Sequence, residues 1–298
     1  MARLGSLLTA TVTPMRADGG IDLPGAEALF DHILRTGSDG LVVCGTTGES
    51  PTLSDDERLE LFRVAVSVAR GHDATVIAGT GTYDTAHSVH LSEEAGRIGC
   101  DGVLAVTPYY SKPPLRGIRA HFEAIAEAGL PVILYNIPSR VVLELPPDFL
   151  GEMAEVDGIV AVKQAISDLA TFDEVVAATG GRLDVYAGND DVLVPFALRG
   201  AVGGVCVVSQ VAGELTSAAL RAALDGREDE ARRLDAQLRP LLDALAVTTN
   251  PIPVKAALDL LGLPAGPLRL PLVEATGDER EVIRQALEGV GAASAAGR

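Results

Sequence analysis

The sequence predicts a (β/α)8 barrel followed by a C-terminal helical region. Short apolar runs rich in β-branched residues recur along the chain, and a stretch with helical periodicity follows each one. The eight runs lie at residues 7–12, 41–44, 75–78, 102–106, 132–135, 159–162, 183–187 and 205–208. Alternating strands and helices require right-handed crossovers between parallel strands. Eight near-continuous apolar strands fit a closed barrel, typically about 250 residues long, better than an open sheet.

The helical stretches follow in the same order. Amphipathic segments between the strands lie at residues 24–35, 55–70, 85–98, 118–128, 147–155 and 169–179. After the eighth strand the alternation stops, and residues 227–247, 253–261 and 279–290 read as three helices punctuated by prolines. We therefore expect a barrel at residues 1–225 and a three-helix appendage at 226–298, with residues 292–298 as a frayed tail.

Composition limits the classes of function. A chain of 298 residues with 47% hydrophobic residues can bury a large core. Its net charge of −17 argues against binding to nucleic acid or an anionic membrane, so an anionic substrate would need local cations. Three scattered cysteines without a CxxC pair, no signal sequence and no long apolar stretch lead us to expect a cytoplasmic protein.

Lys163 is the most informative residue. The chain has only three lysines among its 24 basic residues, and Lys163 lies within the apolar run at residues 158–165. Arginine stays charged at any ordinary pH, whereas a lysine in apolar surroundings can lose its proton and attack a carbonyl group. The alternative is a lysine at a strand end whose ammonium reaches out to water.

Tyr135 ends the preceding apolar run, 28 residues before Lys163. That separation is one βα unit, which places the two residues on neighbouring parallel strands roughly 4.8 Å apart. A phenol beside a nucleophilic amine could pass protons while a Schiff base forms and hydrolyses. A tyrosine that only packs at a strand end is the alternative.

Other strand ends carry polar side chains suited to binding carboxylates. Thr46 and Thr47 lie in a glycine-flanked loop after the second strand, where hydroxyl and backbone N–H groups could hold a carboxylate. Neither this loop nor residues 79–81 has a nucleotide-binding spacing. Arg140 offers a fixed cation near the end of the fifth strand. Local turn capping and a solvated loop arginine are the alternatives.

Two further features concern partners and metals. Tyr110 lies in a proline-bounded loop after the fourth strand, poised to project its hydroxyl into a partner subunit. His87, His90 and Glu93 share a helix face but fall away from the rim, so we expect no metal site there. The chain also lacks the GxSxG pattern of serine hydrolases.

These segments together resemble the dihydrodipicolinate synthase / N-acetylneuraminate lyase family of class I, Schiff-base aldolases. The resemblance rests on GTTGE at 45–49, YNIPSR at 135–140 and VK at 162–163, in that order. It extends to TP at 13–14, TPYY at 107–110, NPIPVK at 250–255 and RLPL at 269–272. The set covers nearly the whole chain.

The resemblance implies a (β/α)8 barrel, usually a homotetramer, that binds pyruvate covalently and needs neither a metal nor an organic cofactor. It implies that Lys163 forms the Schiff base and that Tyr135 is the general acid/base, while Thr46 and a neighbouring subunit's Tyr110 complete a proton relay. It implies three substrate-binding residues: Thr47 for the pyruvate carboxylate, Arg140 for the carboxylate of the incoming aldehyde, and Val205. No partner of nucleic acid or membrane is implied.

Within the family, Arg140 and the segment at 250–255 look like the dihydrodipicolinate synthase branch. That branch condenses pyruvate with L-aspartate 4-semialdehyde to 4-hydroxy-tetrahydrodipicolinate, on the route to diaminopimelate and lysine. The chain departs from the usual pattern at Val141, Val142, Gln164 and Asn189. These departures keep open a second reaction, the cleavage or dehydration of another 2-keto acid or a 2-keto sugar acid.

Two further expectations concern regulation and activity. Tyr83 and His87 replace the Asn and Glu of lysine-inhibited members, which makes inhibition by lysine unexpected. A catalytically silent barrel is a third reading of the chain. It would require a lost catalytic group, whereas the four residues of the implied catalytic set are all present.

Overall fold

A computed structural model of the chain describes residues 4–291 and shows a closed barrel of eight parallel strands. The strands are β1 (Leu7–Ala10), β2 (Gly40–Val43), β3 (Thr75–Gly79), β4 (Gly102–Val106), β5 (Val132–Asn136), β6 (Ile159–Gln164), β7 (Asp184–Ala187) and β8 (Gly203–Cys206). Each strand pairs with the next, and β1 pairs with β8 to close the barrel. The predicted (β/α)8 architecture is confirmed.

Helices surround the barrel and continue beyond its last strand. They are α1 (Leu23–Arg35), α2 (Asp55–Ala69), α3 (Thr85–Ile98), α4 (Leu115–Ala126), α5 (Pro138–Val141), α6 (Pro147–Met153), α7 (Leu169–Thr179), α8 (Leu193–Ala197), α9 (Gly213–Leu224), α10 (Glu228–Leu245), α11 (Ile252–Leu260) and α12 (Gly277–Gly289). The bounds of α3 and α7 coincide with the predicted helices. The predicted tail at 292–298 lies outside the described residues.

The strands separate two layers of apolar packing. Side chains that point into the barrel, such as Leu8, Val42 and Ile133, form an interior cluster, while the alternate positions pack against the helices. Tyr186 fills the interior and donates a hydrogen bond from its hydroxyl to the Gly5 carbonyl, 2.8 Å away. The interior is therefore a packed core, which leaves the strand ends as the place for a site.

The eighth strand begins two residues earlier than the sequence predicts and ends at Cys206 instead of Val208. Gly203 lies so close to the first strand that a Cβ built there would meet the Ser6 carbonyl oxygen at 1.9 Å. Glycine is needed for this close approach, and Gly203 lies outside the apolar run at 205–208 because it adds no apolar side chain.

The C-terminal region consists of α10, α11 and α12, as expected from its periodicity. Helix α10 packs on α9 and α12, and it also reaches α8 of the barrel. The predicted division near residue 225 falls in the short turn between α9 and α10, where Gly226 has a φ of 74°. Within residues 4–291, no helix is long and apolar enough to cross a membrane.

Candidate active site

Lys163 and Tyr135 lie directly opposite each other on neighbouring strands. They are paired in the register of β5 and β6, and the Lys163 Nζ lies 4.2 Å from the centroid of the Tyr135 ring. Each residue is only 5% exposed. The predicted run at 159–162 is longer in the structure, because β6 continues past Lys163 to Gln164. The predicted contact between the amine and the phenol is nevertheless present.

A cavity of about 430 Å³ opens beside this pair at the carboxyl ends of the strands. Barrel loops and α10 both contribute to its wall. Its polar lining comprises Thr46, Thr47, Tyr135, Ser139, Arg140, Lys163, Ser167, Asn189, Asp190, Asp191, Arg239, Asp243 and Asn250. The wall contains three basic residues, Arg140, Lys163 and Arg239, beside three aspartates, so an anionic substrate would be held by individual basic groups and not by a general excess of positive charge.

The loop after β2 holds Thr46 and Thr47 between two residues with left-handed backbone. Cys44 has a φ of 56° and Glu49 a φ of 57°, a conformation that is uncommon outside glycine. Thr47 is 3% exposed, and its Oγ1 accepts a hydrogen bond from the Asn250 Nδ2 at 2.9 Å. The loop therefore presents its hydroxyl groups from a tightly held backbone.

Arg140 reaches the same cavity from the short helix α5. Its guanidinium donates to the Asn250 carbonyl oxygen at 3.1 Å and lies 3.5 Å from the Thr249 hydroxyl. The side chain is otherwise exposed, which leaves donors free for a carboxylate. Asn250 thus touches both Thr47 and Arg140, a connection that spacing along the sequence could not reveal.

Asp190 is a half-buried residue in the cavity wall that none of the sequence motifs above includes. Burial raises its pKa, and hydrogen bonds from the backbone N–H groups of Val207 and Val208, with the charge of Lys163, oppose that rise. The two N–H groups lie 2.9 and 2.7 Å from its oxygens. Asp190 fixes the segment after β8 and places negative charge near the reactive amine.

Two of the residues implied by the resemblance do not line the cavity of this chain. Val205 is 1% exposed and packs in the barrel interior, whereas Val207 lines the cavity two residues later. The period-2 alternation of a strand explains the difference, because inward-pointing residues below the rim belong to the core. Tyr110 is 94% exposed, has a φ of 71° and does not line the cavity.

Most of the departures from the usual pattern also lie outside the cavity wall. Gln164 is fully buried and accepts a hydrogen bond from the Asn136 Nδ2 at 2.9 Å, behind the strand ends. Val141 is 2% exposed and Val142 is 69% exposed, and neither lines the cavity. Only Asn189, in the loop after β7, is a lining residue.

His87 lies in α3, away from the cavity, and its Nε2 is 2.9 Å from the Asp55 carboxylate. Tyr83 and Tyr109 meet edge to face nearby in the fold, with ring centroids 5.5 Å apart. Among residues 4–291, no group of three His, Cys, Asp or Glu side chains could hold a metal ion.

The arrangement can support one kind of chemistry above all. A buried amine at a barrel rim, with a phenol in contact and hydroxyl groups in the same cavity, is suited to forming and breaking a carbon–nitrogen double bond with a carbonyl compound. Fold and site together define the class as a (β/α)8 enzyme of the Schiff-base, class I aldolase type.

Comparisons with known proteins give the family. A model described as the dihydrodipicolinate synthetase family matches residues 3–290, and the chain belongs to this family. It is therefore an enzyme, a pyruvate-dependent lyase of the class I aldolase type.

Curated relatives carry one function. A protein of Moorella thermoacetica named 4-hydroxy-tetrahydrodipicolinate synthase is 48% identical over 96% of this chain and 98% of its own length. A protein of the same name from Mycolicibacterium paratuberculosis is 46% identical over 95% of this chain and 93% of its own length.

Solved structures agree. The DHDPS from Cyanidioschyzon merolae with lysine bound has a TM-score of 0.95 at 40% identity, covering 98% of this chain and 99% of that one. The chloride-inhibited dihydrodipicolinate synthase from Acinetobacter baumannii, complexed with pyruvate, has a TM-score of 0.94 at 36% identity, covering 97% and 99%.

Proposed function

We propose that the chain condenses pyruvate with L-aspartate 4-semialdehyde to give 4-hydroxy-tetrahydrodipicolinate, in the biosynthesis of diaminopimelate and lysine. The observation that carries the proposal is the Lys163 amine held against Tyr135 in a cavity that also contains Arg140. The shared name of the curated relatives supports the same reaction.

The steps follow from the groups in the cavity. The Lys163 amine attacks the ketone carbon of pyruvate, and the carbinolamine loses water to give an iminium ion. Tyr135 returns the proton that this loss requires. Loss of a C3 proton from the bound pyruvate gives an enamine, whose carbon attacks the aldehyde and forms the new carbon–carbon bond. The amino group that came with the aldehyde then attacks the iminium carbon, which closes the ring and displaces the Lys163 amine in its free form.

Each remaining lining group has a binding role in this scheme. Thr47 is placed to donate to the pyruvate carboxylate, and Thr46 adjoins it as a proton carrier toward Tyr135. Arg140 offers its guanidinium to the carboxylate of the aldehyde, a pairing that suits its planar fork. Val205 packs in the barrel interior, so it would influence pyruvate binding indirectly, by supporting the groups at the strand end.

The position of the sequence departures favours this reaction over keto-sugar-acid cleavage. A change of second substrate should alter residues that touch it, yet Val141, Val142 and Gln164 lie outside the cavity wall. Asn189 is the exception. Both reactions use the same Schiff base and enamine on Lys163, so the residues around Arg140 decide which second substrate is accepted.

Assembly and environment belong to the same proposal. We infer a homotetramer in which a neighbouring subunit's Tyr110 completes the proton relay, since the exposed tyrosine with a left-handed backbone has no role within its own chain's cavity. One related solved structure is described as a monomeric variant, so assembly varies among relatives. We also propose a cytoplasmic enzyme that needs no metal or organic cofactor and is not inhibited by lysine.

A substrate panel tests the reaction. Pyruvate would be supplied with L-aspartate 4-semialdehyde, and product formation followed through a coupled reductase, while 2-keto sugar acids are tested for cleavage in parallel. We expect the condensation to give the highest kcat/KM. Faster cleavage of a keto sugar acid, or no condensation, would contradict the proposal. Retained activity after dialysis against a chelator would support the cofactor-free chemistry.

A further inference from the structure

The C-terminal segments that resemble the family, residues 250–255 and 269–272, have no role in the scheme above. Of these residues, Asn250 alone lines the cavity. The contacts of Lys255 and Arg269 lead instead to the loop that carries Thr46 and Thr47.

The centre of this connection is a buried ion pair. The Lys255 Nζ, in α11, lies 2.7 Å from the Glu49 Oε1, and the two side chains are 2% and 0% exposed. Lys255 also donates to the Pro267 carbonyl oxygen at 2.8 Å. The second oxygen of Glu49 accepts the backbone N–H of Arg269 at 3.0 Å. The carboxylate therefore joins the barrel loop to two separate C-terminal segments.

The pair acts at a point where the loop backbone is strained. Glu49 has a left-handed φ of 57°, and Thr47 lies two residues before it in the chain. The Gly48 carbonyl is held from the other side by the Thr13 hydroxyl at 2.7 Å. A non-glycine residue persists in this conformation only when its surroundings fix it, and the ion pair supplies that constraint.

Burial makes the pair sensitive to the loss of either partner. Removing the ammonium leaves a buried carboxylate without its counter-charge. Glu49 then either takes up a proton and loses its charged contact, or moves toward solvent together with the loop. Burial also lowers the pKa of Lys255, although the adjacent Glu49 opposes that shift. Because Thr47 is two residues away, such a movement would displace its hydroxyl from the cavity.

We infer that Glu49 and Lys255 are positioning residues, which hold the Thr46–Thr47 loop in the geometry that binds the pyruvate carboxylate. Neither residue lines the cavity, so the effect passes through the backbone of the loop. The part of the inference that concerns pyruvate rests on the proposed function, whereas the part that concerns the loop does not.

Lys255→Met and Glu49→Gln test the inference in the full-length protein. Hydrogen exchange of peptides spanning residues 44–53 reports the loop, and borohydride trapping at increasing pyruvate concentration reports half-saturation. We expect faster exchange in the loop and a half-saturating pyruvate concentration raised between about tenfold and a hundredfold in Lys255→Met. Glu49→Gln should give a smaller change, because the amide oxygen still accepts the Arg269 N–H.

The matched control is Ile283→Ala, which truncates a fully buried side chain of α12 in the same C-terminal region. It should lower the urea midpoint without changing exchange at 44–53 or pyruvate half-saturation. Unchanged exchange in both test variants would overturn the inference, as would equal effects in Ile283→Ala. Faster exchange at 44–53 with an unchanged half-saturating pyruvate concentration would contradict the claim that the loop geometry controls pyruvate binding. If the wild type traps no pyruvate, the proposed function fails and loop exchange alone decides the inference.

Discussion

At the scale of single residues, two buried lysines have different surroundings and therefore different roles. Lys163 and Lys255 are both buried, but among residues 4–291 only Lys255 has a carboxylate within ion-pair distance. The counter-charge keeps Lys255 in a structural role. Lys163 meets the Tyr135 ring and a cavity instead, so its amine is available to a bound ketone.

Tyr135→Phe should separate proton transfer from binding. Loss of the phenolic hydroxyl removes the general acid/base but leaves the ring that packs against the amine. We expect kcat to fall roughly 10²- to 10⁴-fold, with a smaller change in KM for pyruvate, in the steady-state coupled assay. An unchanged kcat would show that protons reach the reacting atoms by another route.

Arg140→Gln should affect the second substrate alone. A hydrogen bond to a charged group contributes about 1.5–3 kcal/mol, so KM for the aldehyde should rise about tenfold to a hundredfold. Half-saturation of borohydride trapping by pyruvate should stay as in the wild type. Arg140→Lys keeps the positive charge but loses the planar guanidinium. Its KM for the aldehyde should lie between the values of the wild type and of Arg140→Gln. A shift in pyruvate trapping would place Arg140 at the first substrate instead.

Some residues could be read from the sequence and others could not. The apolar run around Lys163 and its one-unit distance from Tyr135 predicted their contact, because parallel strands place such residues side by side. Asn250 and Asp190 could not be found in this way. Their hydrogen bonds join segments far apart in the chain, and no periodicity encodes those contacts.

At the scale of elements, the alternation of strands and helices predicted the barrel. The start of β8 and the contacts of the C-terminal segments were not predicted, because they depend on packing between residues far apart in the chain. The start of β8 at Gly203 depends on backbone contact with Ser6. The docking of the C-terminal segments depends on charged pairs at long range. Arg269 donates to the Thr52 carbonyl oxygen at 2.6 Å and to the Glu57 carboxylate at 2.8 Å.

The Arg269–Glu57 pair should make part of the free energy of unfolding depend on pH in the acidic range. Hydrogen bonding from Arg269 lowers the pKa of Glu57 from 4.5 to about 2. The unfolded chain therefore takes up this proton at a higher pH than the folded chain, and the stabilisation is complete above the unfolded value and lost as pH falls toward 2.

Arg269→Met should accordingly be less stable than the wild type at pH 7, with the difference shrinking between about pH 5 and pH 2. Urea unfolding at several pH values measures the difference. Arg280→Met, which breaks an exposed pair with Asp259, is the control and should show little change at any pH. A difference for Arg269→Met that stays constant down to pH 2 would contradict the assignment.

At the scale of the whole molecule, the site of one chain lacks the tyrosine that the proposed relay requires. Tyr110 is almost fully exposed, and Leu115 on the following helix is also exposed. An exposed tyrosine and an exposed leucine five residues later in the chain suit a contact between copies of the chain. The sequence indicated the role of Tyr110 only through its family resemblance, because contacts between subunits leave no periodicity within one chain.

Subunit mixing tests this arrangement. Tyr110→Ala and Lys163→Arg should each be inactive alone. Co-refolded mixtures should regain activity, because a mixed assembly contains sites with an intact Lys163 and a partner's intact Tyr110. Tyr83→Ala, also an exposed tyrosine, is the control and should keep its activity. No recovery in mixtures that do assemble would show that Tyr110 acts within its own chain or not at all.

The most direct test of the central claim is covalent trapping on Lys163. The protein is incubated with pyruvate, reduced with borohydride, digested and analysed by mass spectrometry. We expect one reduced pyruvyl adduct per chain, located on Lys163, with loss of activity. Lys163→Arg should keep the positive charge, form no adduct and show no turnover. An adduct on Lys112 or Lys255 instead, or none on the active wild-type enzyme, would contradict the assignment of Lys163 as the Schiff-base lysine.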